Sequence, residues 1–429
     1  MLFPLTILVL GQAAPAAELA WVSERTGRAH MFNVMDFGAV GDGVTKDTAA
    51  IVKAVDAVTA AGEGAILFPS GGRFLTAPFN VTSHCTLFID ANATLLGSTD
   101  FDDWPLIPAL PSYGQGRDHP GPRRTSLIHG QNMSDVVITG ANGTIDGQGA
   151  PWWDDHLAKT ELHTRGHLIE LMWSTDITLS NLTLTNSPFW TVHPVYCVGF
   201  TAHHLWIINP TNANGERHAP NTDGIDPDST SDVLIHDVYI RTGDDAIAIK
   251  SGWDEYGYGY GVPSRNITIR DCVFSSPCCA AVCIGSEMSG GVSDVRISNS
   301  HLFESAEGLR IKAGAGRGGY VRDISIENVT MDGMKTAMQY NCKYGGHPAD
   351  DPTHHLNLSA LPDVRRIAAR NVSGINCRVV ADLVGLPLGP IADVTFEDVQ
   401  FDGGKYECSD VSGTYRNMVP QPCAAISPA

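Results

Sequence analysis

The chain has 429 residues, a formal charge of −19 at neutral pH and a pI near 5.1. That balance argues against nucleic acid or an anionic membrane as partner, because both would be repelled. Length alone suggests two domains, but a solenoid grows coil by coil around one continuous core, and no linker divides this sequence.

At the start, the apolar run Leu2–Leu10 is followed by small residues that suit signal peptidase. This predicts a signal peptide over residues 1–17 and a secreted protein. The run is too short to span a bilayer, and no later segment is long and apolar enough to do so. DTAAIVKAVDAVTAA (Asp47–Ala61) predicts a helix, with Asp47 as N-cap and Ile51, Val52 and Val55 as its apolar stripe. Such a helix would cover the open end of a first coil and protect its edge. Asp100–Arg124, rich in Pro, Gly and Asp, reads as a long loop that walls a cleft.

From mid-chain onward one pattern recurs: short alternating strands broken by Asp or Asn, as in DVLIHDVYI from Asp232, NITIRDCVF from Asn266 and DISIENVTM from Asp323. The internal residues Asp237, Asp271, Asn299 and Asn328 are separated by steps of 34, 28 and 29. Later steps, through Asn371 and Asp398, are 43 and 27. Repeats of this length without helices between the strands predict an all-β fold, a parallel β-helix occupying residues 31–423 as one domain. One coil cannot bury its inward face alone, so coils stack strand on strand at roughly 4.8 Å. A sandwich or propeller is the rival, but hairpin signals are too rare to favour either.

Ten cysteines fit disulfides in a secreted protein. Cys408 and Cys423 would close a small C-terminal loop, whereas Cys278, Cys279 and Cys283 are too bunched to assign partners. No cysteine has a metal-ligand spacing with nearby histidines, so no metal or cofactor is predicted. Nine N-x-[ST] sequons occur. Several, such as those at Asn266 and Asn328, fall inside strand patterns where the Asn would serve as a turn residue rather than carry a glycan.

The chemistry concentrates in NTDGIDPDS (Asn221–Ser229) and GDDAIAIKSG (Gly243–Gly252), which bring Asp223, Asp244 and Asp245 within 22 residues. Crowded carboxylates repel, so at least one retains its proton to higher pH. A protonated acid beside an ionised base is what glycosidic cleavage requires. The bland alternative is a stack of turn aspartates that bond backbone amides. Further on, EGLRIKAGAGRGGY (Glu307–Tyr320) sets Arg310 and Lys312 on the same side around Ile311, a ready site for a substrate carboxylate. Arg317 would add to it. Their competing role is a surface ion pair with Glu307 or Asp323, worth little.

From roughly Phe32 to Cys423 the chain resembles the polygalacturonase family, glycoside hydrolase family 28. FNVMDFGAVGDGVTKDTAAI (Phe32–Ile51) is similar to the opening of many pectin-active β-helix proteins. NTDG, GDD and RIK, in that order and at these intervals, are more specific. The resemblance implies a right-handed, single-stranded parallel β-helix and an inverting mechanism. It assigns Asp244 as general acid, Asp223 and Asp245 as the pair that activates water, and Asn221 as a positioning group. Arg310 and Lys312 would bind galacturonate carboxylates, so a locally cationic cleft would admit a polyanion to an acidic protein. Tyr340 would match a tyrosine near the reacting sugar.

One block departs from the pattern. Where most endo-acting members have GHG, this chain has GSE (Gly285–Glu287) inside IGSEMSGG, and Ser286 replaces the histidine. The same GSEMSGG variant marks a branch with exo-acting bacterial members. That branch also resembles SPFWTVHP (Ser187–Pro194), RHAPNTDG (Arg217–Gly224) and KSGWDEYG (Lys250–Gly257). His193, His218 and Glu287 are candidates to compensate, although a buried, hydrogen-bonded structural role is the better account of His193.

The implied function is hydrolysis of α-1,4-galacturonosidic bonds of pectin, exo or endo, by a monomer without cofactor. Rhamnogalacturonan or xylogalacturonan hydrolysis is the nearest alternative. A calcium-dependent pectate lyase and a non-catalytic, wall-associated β-helix that binds pectin are the others.

Overall fold

The inward positions along the recurring strands are mostly apolar, and stacking buries them together. The computed structural model describes residues 27–114, 116–213, 215–347 and 356–429, and the expected signal peptide lies outside them. It is a parallel β-helix whose coils pair with the next in parallel register. The column Phe200, Val233, Ile267, Val295, Ile324, Ile367 and Val394 runs in register down the interior. Each of these side chains is at most 3% exposed, and burying one contributes about 1.5–3 kcal/mol.

Two turn columns flank these strands. Asn181, His204, Asp237, Asp271, Asn299, Asn328, Asn371, Asp398 and Asn417 all have φ between +49° and +57°. Asn and Asp tolerate this left-handed conformation better than other side chains. The column also bonds along itself: Asn328 Nδ2 donates to Asn299 Oδ1 at 3.1 Å, and Asn371 Nδ2 to Asn328 Oδ1 at 2.8 Å. These sequon asparagines therefore use, for the ladder, the nitrogen a glycan would occupy.

The first helix, α1, spans Thr48–Ala61 and buries Ala50, Ile51, Ala54, Val55 and Val58. Val52 faces solvent instead, at 40% exposure. Asp47 sits at the N-cap, but its carboxylate accepts from the Val40 and Gly41 amides at 2.6 and 3.1 Å rather than from the helix. Two further helices, α2 (Ala150–Ala158) and α3 (Asp254–Tyr260), were not legible as apolar stripes. No helix among the described residues is long and apolar enough to cross a membrane. Cys408 and Cys423 are joined by a disulfide.

A second, shorter sheet forms the face that carries the chemistry. Its strands run from Phe79–Asn80 through Ile128–Gln131, Ile169–Met172 and Val192–Val195, and resume at Ile247–Ile249, Ala280–Ile284 and Glu307–Lys312. Single bridges, Val192 to Ile225 and Ile225 to Ile247, carry the pairing across the gap.

Candidate active site

The two acidic runs are adjacent coils. Ile225 pairs with Ile247, so two residues earlier Asp223 lies beside Asp245, and the Gly224 amide donates to the Asp245 carbonyl at 3.0 Å. Asp223 and Asp245 are 3% and 1% exposed, whereas Asp244 is half-buried. The Asp245 amide donates to Asp244 Oδ1 at 2.9 Å, and Asn221 Nδ2 approaches Asp244 Oδ2 at 3.4 Å. Asn221 is itself fixed: Arg165 Nη2 donates to its Oδ1 at 2.7 Å.

The three acids sit in different electrostatic environments. Burial and then the Asp244 charge push Asp223 up to about 8, although Lys250 Nζ lies 3.5 Å away. Burial opposes ionisation of Asp245 too. There Lys312, donating to Oδ2 at 2.6 Å, and the Ala280 amide, donating to Oδ1 at 2.9 Å, prevail and hold it below the usual value. Asp226, one strand position beyond Ile225, is fully buried without a hydrogen-bond partner, and burial drives it well above the carboxylate range. Carboxylates pushed apart in this way are the signature of acid–base division of labour.

A cationic layer supports them. Lys250 Nζ stands 4.1 Å over the Trp190 ring, and the Arg165 guanidinium 4.7 Å over Phe189. The SPFWTVHP segment thus supplies an aromatic floor beneath two cations. Lys250 also lies 3.4 Å from Glu287, whose second oxygen is 2.6 Å from Arg117 Nε. Burial opposes the Glu287 charge, but Arg117 and Lys250 hold it far below the ordinary range.

Arg117 belongs to the Asp100–Arg124 segment, which crosses the cleft face. Tyr113 donates to Asp228 Oδ2 at 2.6 Å, Ser112 and Tyr196 share a hydrogen bond of 2.6 Å, and the Trp253 amide donates to the Ser112 carbonyl at 2.8 Å. Arg117 lies 4.8 Å over Trp253. The strap therefore covers the side of the Lys250 floor formed by Asp228 and Glu287. Beyond this strap lies a separate cavity of about 570 Å³, lined by Phe79, Ile107, Leu110, Arg123, His129 and Trp173.

The remaining sequence candidates fall in distinct places. Lys312 reaches the acids and is ion-paired with Asp245. Arg310 faces the same side, pairs with Glu307 at 3.1 Å, and lies with Lys312 under Tyr344, at 5.5 and 5.7 Å. Arg317 is buried and bound to Asp254 at 2.5 Å. Tyr340 lies on the core side of its strand. It is in register with Ile311 and Leu383, 1% exposed in the core, and its hydroxyl has no partner. His218 is half-buried in the segment before Asn221. His193 is fully buried, between Glu170 Oε1 at 2.9 Å and Asp228 Oδ2 at 3.1 Å.

Sequence reasoning missed Lys250, Arg165, Arg117 and Tyr344. Lys250 had a signal, since it stands seven residues after Gly243 in the same acidic run. Arg165 and Arg117 had none, because their partners Asn221 and Glu287 are far away in the chain.

The fold and site define a β-helical hydrolase of glycosidic bonds. The chain belongs to the glycosyl hydrolases family 28, whose family model matches residues 60–419. It is 44% identical over 407 residues to a probable polygalacturonase of Vitis vinifera, covering 93% of this chain and 81% of that protein. An exopolygalacturonase from Thermotoga maritima superposes with a TM-score of 0.78 at 23% identity, over 96% of each chain. A Yersinia enterocolitica family 28 exopolygalacturonase gives 0.80 at 19% identity, over 93% of this chain and 78% of that one. At these identities the two structures speak to the fold.

Proposed function

We propose that the chain is a secreted, monomeric polygalacturonase that removes galacturonate from one end of pectic chains by inverting hydrolysis. The carrying observation is the acid cluster on a cleft that the Ser112–Arg117 strap closes on one side. A closed side favours a chain end over a mid-chain bond. Family membership and the relative in Vitis vinifera support the substrate class.

In this reading Asp244, the most accessible of the three acids, protonates the leaving oxygen, and Asp223 with Asp245 activates water on the opposite face. Lys312 keeps Asp245 ionised for that role. Burial keeps Asp223 protonated up to about pH 8 in the free protein. Arg310, under Tyr344, offers its guanidinium to a galacturonate carboxylate, and His218 lies at the approach to Asn221. Rhamnogalacturonan and xylogalacturonan remain the alternative substrates.

The test is incubation with polygalacturonic acid and chelator, with products resolved by size over time. Monomer accumulating with little early viscosity loss is the expected result. Mixed oligomers with a rapid viscosity drop would make the enzyme endo-acting, and absence of product would overturn the substrate. Loss of activity on chelation, restored by calcium, would indicate a lyase.

A further inference from the structure

The turn Ser276–Cys279 is stitched onto the GDD turn of the preceding coil. Ser276 Oγ donates to the Asp244 carbonyl at 2.6 Å, Cys278 Sγ to the Gly243 carbonyl at 3.0 Å, and the Ala280 amide to Asp245 Oδ1 at 2.9 Å. This brings Cys279 Sγ and a carboxylate oxygen from each of Asp244 and Asp245 within 4.8 Å of one another. A second thiol, Cys278, is next in the chain and exposed. All six other free cysteines among the described residues are buried.

We propose that Cys278 and Cys279, with Asp244 and Asp245, form a site for a soft divalent cation such as Zn²⁺ or Cd²⁺, and that occupancy stops hydrolysis by tying up the catalytic carboxylates. A tetrahedral ion at the usual zinc–sulfur and zinc–oxygen distances needs donors roughly 3.3–3.8 Å apart, a small adjustment for Cys279, Asp244 and Asp245, while Cys278 must turn its Sγ from the Gly243 carbonyl to join them. Thiolate donors select soft cations over Mg²⁺ or Ca²⁺. That selection matters here because Lys312 already neutralises Asp245, so charge alone would not retain a hard ion. Thiols ligate such ions as thiolates. Binding therefore releases a proton for each thiolate ligated, with no change in oxidation state. The inhibitory consequence rests on the catalytic reading of Asp244 and Asp245; the binding does not.

Titration of the full chain with CdCl₂ tests both parts. One equivalent should bind, with an ultraviolet sulfur-to-cadmium charge-transfer band and proton release in weakly buffered solution, and hydrolysis should fall in step and recover with chelator. Cys279→Ser and Cys278→Ser should weaken binding and inhibition tenfold or more while leaving metal-free hydrolysis near the parent rate. A band and inhibition unchanged in both variants, no band in the parent, or a Cys278–Cys279 disulfide in the purified protein would each overturn the site. If no pectic substrate is cleaved, the band and its loss in the variants still decide the site, separately from the failed activity.

Discussion

The turn columns and the cleft are both built largely from aspartate and asparagine, and they treat these residues in opposite ways. In the columns Asp232, Asp237, Asp271 and Asp294 are exposed and in the left-handed conformation, where water and neighbouring polar groups satisfy them. In the cleft Asp223, Asp226 and Asp245 are at most 3% exposed, and their environments separate them electrostatically. The same side chain is a backbone device in one place and a titrating group in the other. Burial, rather than residue type or spacing, makes the difference.

The largest test of that contrast is to neutralise each kind in turn. Asp244→Asn or Asp245→Asn should lower kcat by about 10²–10⁴-fold with pectate binding retained, whereas Asp271→Asn should leave kcat unchanged. Next is Lys250→Met. Its loss leaves Asp223 facing Asp226 and Glu287 without the cation that now lies within 3.8 Å of all three. Asp223 should hold its proton to still higher pH, so the acid limb of the kcat/KM profile should move to higher pH. An unshifted limb with a lowered rate would mean that Lys250 is only structural.

Asp223→Asn separates stability from catalysis. Its folded pKa, about 8, lies above the unfolded value of about 3.9. Between those values the folded state binds the extra proton, so the contribution to stability is full below about pH 4 and is lost as pH rises through about 8. An asparagine cannot ionise. The variant should therefore lose hydrolysis yet melt higher than the parent at and above neutral pH, with the gain shrinking as pH falls from about 8 and gone below about 4.

Most of the fold was legible because the columns repeat. Asp237, Asp271, Asn299 and Asn328 were aligned by sequence spacing, and the strands pair in that same register. The acids were legible because NTDG and GDD fall on consecutive coils. What supports them was not. Arg165 reaches Asn221 across 56 residues, and Arg117 meets Glu287 from a segment without repeat. Loop paths of that kind follow tertiary packing and leave no period to count. Asn328→Ala probes the legible half. It removes a ladder hydrogen bond on each side and puts a residue without a polar tip into φ +56°, so about 1–2 kcal/mol of stability should be lost with kcat intact.

The smallest expected effect addresses the one candidate that periodicity contradicts. Tyr340 alternates with Gln339 and Asn341, and strand alternation fixes which of them faces the cleft. Gln339 is in register with Arg310, on the cleft side, which leaves Tyr340 with Ile311 on the core side. Its hydroxyl is buried without a partner and is pushed up beyond the usual phenol range by burial alone. A phenol beside a reacting sugar would lose catalytic rate on becoming phenylalanine. A core phenol with an unsatisfied hydroxyl should lose nothing, and the apolar replacement relieves a desolvation penalty. Tyr340→Phe is thus expected to keep kcat and KM within about twofold of the parent and to melt at the same temperature or slightly higher. Tyr344, over Arg310 and Lys312, is the tyrosine whose truncation should raise KM. A fall in kcat with Tyr340→Phe and none with Tyr344→Ala would reverse the two assignments.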